Sequence, residues 1–289
     1  MRNNAATASA APSLFGSVLQ AANPVRILAG LWHERHLTRQ LTWREITGRY
    51  RSSMLGLLWS FITPLVTLSL YTYVFGVVFK ARWPGARTGS LGEFGLMLFA
   101  GLTAFTLLSE CINRAPHLIT AQPNYVKKVV FPLEILPVSV LGAALFHAGI
   151  SLLLLALAEQ VVLGRVVWTI LLAPLVLLPL VLLALGTSWA IASLGVFFRD
   201  IGHTVALIMQ VLFFTTPIFY ALEAVPAPWR DWLLWNPLVA VVDNMRRVSV
   251  SGTTPNWHSL ATSAICGLVV FSLGHAWFVK TKRGFADVL

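Results

Sequence analysis

Charge is scarce in this 289-residue chain: Asp, Glu, Lys and Arg make up 11% of it, where an average soluble domain carries about one quarter. Cysteine is nearly missing as well. Cys111 and Cys266 both lie in apolar runs, which gives no disulfide framework. No G-x-x-x-x-G-K-[ST] phosphate loop occurs, so the chain does not hydrolyse ATP itself. G-x-S-x-G and H-E-x-x-H are absent too. The seven histidines are scattered, and His147 and His275 fall inside apolar runs without an obvious ligand set, so no metal site is expected. Glu110 and Glu134 stand as border charges rather than an acid–base pair. The opening MRNNAATASAAPSLFGS lacks the apolar core of about 7–15 residues that a signal peptide needs. Its Ala, Ser, Asn and Pro content predicts a disordered tail over residues 1–25.

Apolar residues fill the space instead, at 57% of the chain. Charge-free stretches cover 52–79, 94–109, 135–158, 166–198, 201–222 and 248–279. A helix needs about 20 apolar residues to cross about 30 Å of hydrocarbon. Five stretches reach that length alone, and the second does so when extended through Cys111 and Asn113. The runs are continuous rather than alternating, which excludes a membrane barrel. The expected fold is therefore an all-α integral membrane protein with six transmembrane helices.

Six crossings put both termini on one side. Segments on that side hold Arg2, Arg26, Arg35, Arg39, Arg44, Arg49, Arg51, Arg114, Lys127, Lys128, Arg199, Lys280, Lys282 and Arg283, fourteen in all. The opposite segments hold Lys80, Arg82, Arg87, Arg165, Arg230, Arg246 and Arg247, which is seven. The bias predicts cytoplasmic termini. The net charge of +10 then reflects topology and anionic inner-leaflet lipids, with no nucleic-acid partner implied.

Two features mark the cytoplasmic side. QPNYVKKVVFPLEILP (122–137) interrupts the apolar pattern with three prolines and a Lys-Lys pair. Pro123 and Pro132 bracket a short segment, Asn124–Phe131, and are expected to launch the third span at its first turn. A topological anchor explains the lysines but not the bracket. RQLTWREITGRYRSS (39–53) places Trp43, Ile46 and Tyr50 at helical spacing, with Arg39, Arg44, Arg49 and Arg51 around the rest. That spacing predicts an amphipathic helix in the headgroup plane, with the arginines on its wet face. Segment 26–37 weakly suggests another, so residues 26–53 form the expected interface region.

YRSSMLGLLWSFITPLVTLSLYTYVFGVVFKARW (50–83), NRAPHLITAQPNYVKKVVFPLEILP (113–137), VFFRDIGH (196–203), FFTTPIFY (213–220) and WNPL (235–238) occur in that order. Together they resemble the permease subunit of ATP-binding-cassette polysaccharide exporters, the type-2 permeases that move O-antigen, capsule or teichoic acid. The resemblance covers roughly residues 40–285. It implies a homodimer in the bacterial inner membrane, working with two copies of a separate ATPase subunit that holds the ATP and Mg. It further implies a permease domain over 54–285, a coupling loop at 114–132 and an external segment, 221–256, that dips back into the membrane. By position, Asn124, Tyr125, Val126, Lys127, Lys128, Phe131 and Pro132 would touch the ATPase, with Arg199 and Asp200 as a second element. A proline-braced loop could transmit ATPase closure as a lever.

For the transport path, Ser60, Thr63, Thr67 and Tyr71 share one face of the first span, and Gln210 and Phe214 offer matching spacing in the fifth. Trp59, Phe61, Tyr73, Phe75, Phe105 and Phe219 are further candidates, since aromatic faces and hydroxyls let a sugar slide. Helix packing and interfacial belts explain the same residue types more plainly. Trp229, Trp232 and Trp235 recur every three residues in the external segment. The resemblance makes Trp232, Trp235, Arg246 and Arg247 an outer gate, with both arginines at headgroup level because a charge at mid-bilayer costs about 2.5–3.5 kcal/mol. The arginines of the amphipathic helix could hold a pyrophosphate or other anionic linker of a lipid-linked glycan, or simply membrane lipids. Two other classes share these residues: a solute channel or small-molecule permease subunit, and a membrane-embedded hydrolase or acyltransferase.

Overall fold

The computed structural model describes residues 21–51, 53–84, 89–127 and 131–289. Among them every regular element is helical. The expected disordered tail lies mostly outside the described residues, as do Arg87 and Lys128.

α1 (Pro24–His33) begins under Asn23, whose side chain accepts from the Val25 and Arg26 amides, and Pro24 fills the first position, where no amide is needed. α2 (Arg35–Tyr50) follows after Glu34. The buried face of α2 carries Leu41 and Ile46, whereas Trp43, expected beside Ile46, is more than half exposed. The side chain of Thr42 lies where a Cβ on Gly142 would go, so a glycine lets α2 lie close on the third span.

α3 (Trp59–Tyr71) is flanked by a 3-10 turn at Gly56–Leu58 and a π-helical stretch at Thr72–Val78. α4 (Leu91–Arg114) is capped by Ser90, which accepts from the Glu93 amide at 3.2 Å. Next come the short α5 (Pro123–Lys127) and the long α6 (Ile135–Leu163), which ends at Gly164 with a left-handed φ of 67°. Pro132 lies before α6 rather than in its first turn; Pro137 occupies that turn. α7 (Ala173–Phe197) follows a 3-10 turn at Trp168–Leu172, and α8 (Ile201–Thr215) follows α7 almost directly. Then come α9 (Ala227–Leu234), α10 (Pro237–Arg246), α11 (Trp257–Thr281) and α12 (Phe285–Val288).

Five rods are long and apolar enough to cross a membrane: Gly56–Val78, Leu91–His117, Ile135–Leu163, Trp168–Phe197 and Trp257–Val288. The run 201–222, expected as the fifth of six spans, divides. Pro217 disfavours helix at Thr216, whose ψ of 133° is extended. α8 therefore stops at 15 residues, about 22 Å of helix, short of the hydrocarbon thickness. The last rod begins at Trp257 rather than 248, because a π-helical turn at Arg247–Ser251 ends at Gly252.

α4 is the centre of the bundle, with 83% of its apolar window buried, against 6% for the rod built on α3. α7 and α11 approach backbone to backbone: a Cβ at Gly186 would strike Val270 and Phe271, and one at Gly274 would strike Gly186. At the end of the bundle that holds α2, α5 and α12, Glu134 ties the elements together. Its carboxylate accepts from Lys282 Nζ at 2.9 Å and its carbonyl from the indole of fully buried Trp189. Buried Phe285 of α12 wedges between Phe197 and Phe278.

Candidate translocation path and coupling surface

Pro123 opens α5 at the position where a missing amide costs nothing. Asn124 and Lys127 are exposed, Tyr125 and Val126 half-buried, and Phe131 and Pro132 half-buried beyond the gap. Tyr125 stacks on Phe131 with ring centroids 4.3 Å apart. Arg199 and Asp200 are exposed in the turn between α7 and α8.

Arg39, Arg44, Arg49 and Arg51 separate into two kinds by their protein partners. Arg39 and Arg51 are exposed. Arg44 instead donates to the Tyr125 hydroxyl at 3.0 Å and to Gln122 Oε1 at 3.3 Å, bracing α2 against α5. Arg49 pairs with Glu110 at 2.8 Å, and Arg114 of α4 pairs with Glu45 of α2. Arg44 and Arg49 are exposed as well, so each keeps a solvent-facing side while holding a protein partner. Arg44 and Arg49 bind protein partners, because α4 and α5 bring acceptors alongside them.

Between α2 and the end of α4 runs a groove of about 960 Å³, lined by Arg44, Glu45, Arg49, Glu110, Asn113, Arg114 and Gln122 among others. Three arginines against two glutamates leave it a net charge of +1. A smaller cavity of about 190 Å³ continues inward between α3, α4 and α6, sharing Arg49, Thr106 and Glu110 with the groove. Here the polar face of α3 reappears: Trp59, Ser60, Thr63 and Thr67 line the cavity. Thr103, Thr106, His147 and Ser151 complete it, none of them named as path residues from the sequence. The carboxylate of Glu110 lies 2.9 Å from His147 Nδ1, which sets the imidazole proton on that nitrogen and leaves Nε2 to accept from Tyr50 at 3.2 Å. Burial pushes the Tyr50 phenol above its usual range, against the pull of Arg49, so it stays protonated as the donor.

Tyr71, one turn beyond Thr67, leaves this polar set. It meets Phe219 at 5.2 Å and Phe213 at 6.3 Å; Phe75 stacks on Phe219 at 4.6 Å, and Phe105 reaches Phe213 at 5.0 Å. Phe214 joins through Phe219 at 6.3 Å. Phe61, Tyr73 and Gln210 are exposed and outside both groups.

At the far end the two arginines differ in burial. Trp232 and Trp235 are strongly exposed, and Arg247 is half-buried with a bond to the Thr254 carbonyl at 3.3 Å. Arg246 is buried at 4% exposure. Its guanidinium donates to the Ile218 carbonyl at 2.7 Å and the Met97 carbonyl at 3.0 Å, and lies 4.2 Å from the Trp83 ring centroid. The break at Pro217 leaves the Ile218 carbonyl without a helical partner, and Arg246 supplies one. A contact 28 positions away in sequence has no local signal.

Five rods long and apolar enough to cross a membrane, with a polar groove where α2 meets the end of α4, define the class as an all-helical integral membrane protein. The chain belongs to the ABC-2 type transporter family, whose sequence profile matches residues 36–249. It is 26% identical over 265 residues to the O-antigen export system permease protein RfbA of Myxococcus xanthus, covering 91% of this chain and 99% of that protein. A Klebsiella pneumoniae O-antigen export system permease protein RfbA is 26% identical over 251 residues, 86% of this chain and 93% of its own length. The polysialic acid transport protein KpsM of Escherichia coli is 25% identical over 238 residues, 81% of this chain and 89% of its own.

Proposed function

We propose that this chain is the membrane-spanning subunit of an ATP-driven exporter that carries a lipid-linked polysaccharide outward across the inner membrane. A separate ATPase chain supplies hydrolysis, and two copies of each subunit form the working complex. The observation that carries this reading is the end-to-end likeness to polysaccharide-export permeases, one of them matched over 99% of its length.

The physical features fit such a machine. α5 is a short, proline-started helix held between neighbours, with Arg44 on one side and α12 near the other. A push on α5 would pass through Arg44 into α2, and from α2 through Arg49–Glu110 and Arg114–Glu45 into α4. Asn124, Tyr125, Val126, Lys127, Lys128, Phe131 and Pro132, with Arg199 and Asp200, form the proposed ATPase contact. α8 followed by Thr216–Tyr220 is the proposed fifth crossing. Its five extra residues add at most about 17 Å to the helix, enough to complete the span. α9 and α10 form the re-entrant external pair, and the termini are cytoplasmic, as the Lys/Arg bias argues.

The test is co-expression with the ATPase encoded beside this chain, followed by hydrolysis assays in lipid nanodiscs. A stable complex whose hydrolysis rises with lipid-linked glycan is the expected result. A chain that purifies alone and binds no ATPase would overturn the proposal.

A further inference from the structure

We infer that the cavity between α3, α4 and α6 is a binding site for the hydroxyl-rich face of an uncharged sugar ring, and that it discriminates against acidic sugars. This rests on the exporter reading above and adds a substrate chemistry to it. The argument turns on where the protons of the cavity's polar groups already go.

Five of its serine and threonine hydroxyls donate to carbonyls of their own helices. Ser60 donates to Leu57 at 2.6 Å, Thr67 to Thr63 at 2.9 Å, and Thr103 to Phe99 at 2.9 Å. Thr106 donates to Leu102 at 2.8 Å and Ser151 to His147 at 3.1 Å. Thr63 and the remaining N–H groups of Arg49 at the mouth stay free, and most other donors are committed. The Trp59 indole donates to Ser53 at 2.8 Å, Tyr50 donates to His147, and His147 and Arg49 both donate to Glu110. A hydroxyl that has given its proton keeps oxygen lone pairs as acceptors. The cavity wall therefore offers more acceptors than free donors.

Such a wall suits a ligand with many O–H groups. A neutral sugar ring brings them around its edge, and its C–H faces fit the apolar sides formed by Trp59, Pro64 and Leu102. The volume of about 190 Å³ is below the range of drug-sized pockets and suits a single ring. A uronic or sialic carboxylate, by contrast, is an acceptor only. It would face mostly acceptors and the Glu110 carboxylate, whose charge already draws the one arginine at the mouth. Acceptors set against acceptors go unpaired, and that costs binding energy. The groove outside, with its excess positive charge, is the compartment that tolerates an anion.

The experiment uses the full chain with its ATPase subunit in nanodiscs. Cys266→Ala removes the exposed thiol, and Thr67→Cys places one in the cavity wall. The rate of labelling by a small methanethiosulfonate is then measured with maltotriose or trigalacturonate as probe. Maltotriose is expected to slow labelling, and trigalacturonate to require about tenfold higher concentration for the same protection. Glu110→Gln should narrow that gap to about threefold. Equal or better protection by the acidic probe, no protection by either, or a gap unmoved by Glu110→Gln would each overturn the inference. If Thr67→Cys does not assemble, Thr106→Cys reports from the opposite wall. Protection can fail while glycan-stimulated hydrolysis persists, which would leave the exporter standing; the reverse result would fault the exporter and not the cavity.

Discussion

At the α5 end of the molecule, Arg44, Arg49 and Arg114 stand around an open groove with Glu45 and Glu110 among them. At the far end, Tyr71, Phe75, Phe213 and Phe219 close on one another with ring centroids 4.6–6.3 Å apart. One helix serves both: Thr67 of α3 lines the polar cavity, and Tyr71, one turn on, belongs to the aromatic cluster. The difference teaches how one helix can present a solvated polar face at one level and a packed aromatic one a turn later. Partly solvated ion pairs contribute little to stability and can exchange partners. Packed rings exclude water and resist displacement.

Mutations can break that contrast or sharpen it. The largest effect is expected at Phe219, the hub that touches Tyr71, Phe75, Phe213 and Phe214. Phe219→Ala should cost about 3–5 kcal/mol, seen as a lowered melting temperature, and make proteoliposomes leaky to small sugars. An unchanged melting temperature with tight vesicles would show that the rings are not a packed seal.

Arg246→Gln should follow at about 3 kcal/mol, since two bonds from a charged donor to buried carbonyls are lost. Arg247→Gln, removing one bond from a half-buried side chain, should cost no more than about 1 kcal/mol by the same melting assay. Equal losses at the two positions would remove Arg246 from its role as the pin of the Pro217 break.

The polar end should respond least in stability and most in function. Arg44→Ala is expected to cost about 1 kcal/mol yet raise the ATP hydrolysed per glycan exported, because the brace between α2 and α5 is gone. Arg51→Gln, an exposed position, should stay within about 0.5 kcal/mol and leave the ratio unchanged. If both behave alike, α2 does not carry the push.

Much of the architecture was legible in the residue order. The gaps between charges gave five spans near their observed bounds, and Pro123 and Pro132 marked off a short segment whose start the structure folds as the helix Pro123–Lys127. The polar stripe of α3 was legible as a stripe, since helical spacing alone places Ser60, Thr63, Thr67 and Tyr71 together. Its division between a cavity and an aromatic cluster was not, because Thr103 and Ser151 on one side and Phe213 and Phe219 on the other come from different helices. The same limit hid the partners of Arg44 and Arg49, and it hid the burial of Arg246.

Residue order by itself determined that this chain belongs in a membrane, roughly where it crosses, and where it is stiffened. Exclusion from water sums along a continuous segment, and proline acts on its immediate neighbours, so both are local properties. Only the tertiary structure decided which charges are spent. Arg49 meets Glu110 across 61 positions and Arg246 meets Met97 across 149. A charge becomes a ligand-binding group, a brace or a pin according to what another helix brings within about 3 Å of it, and that is a property of packing.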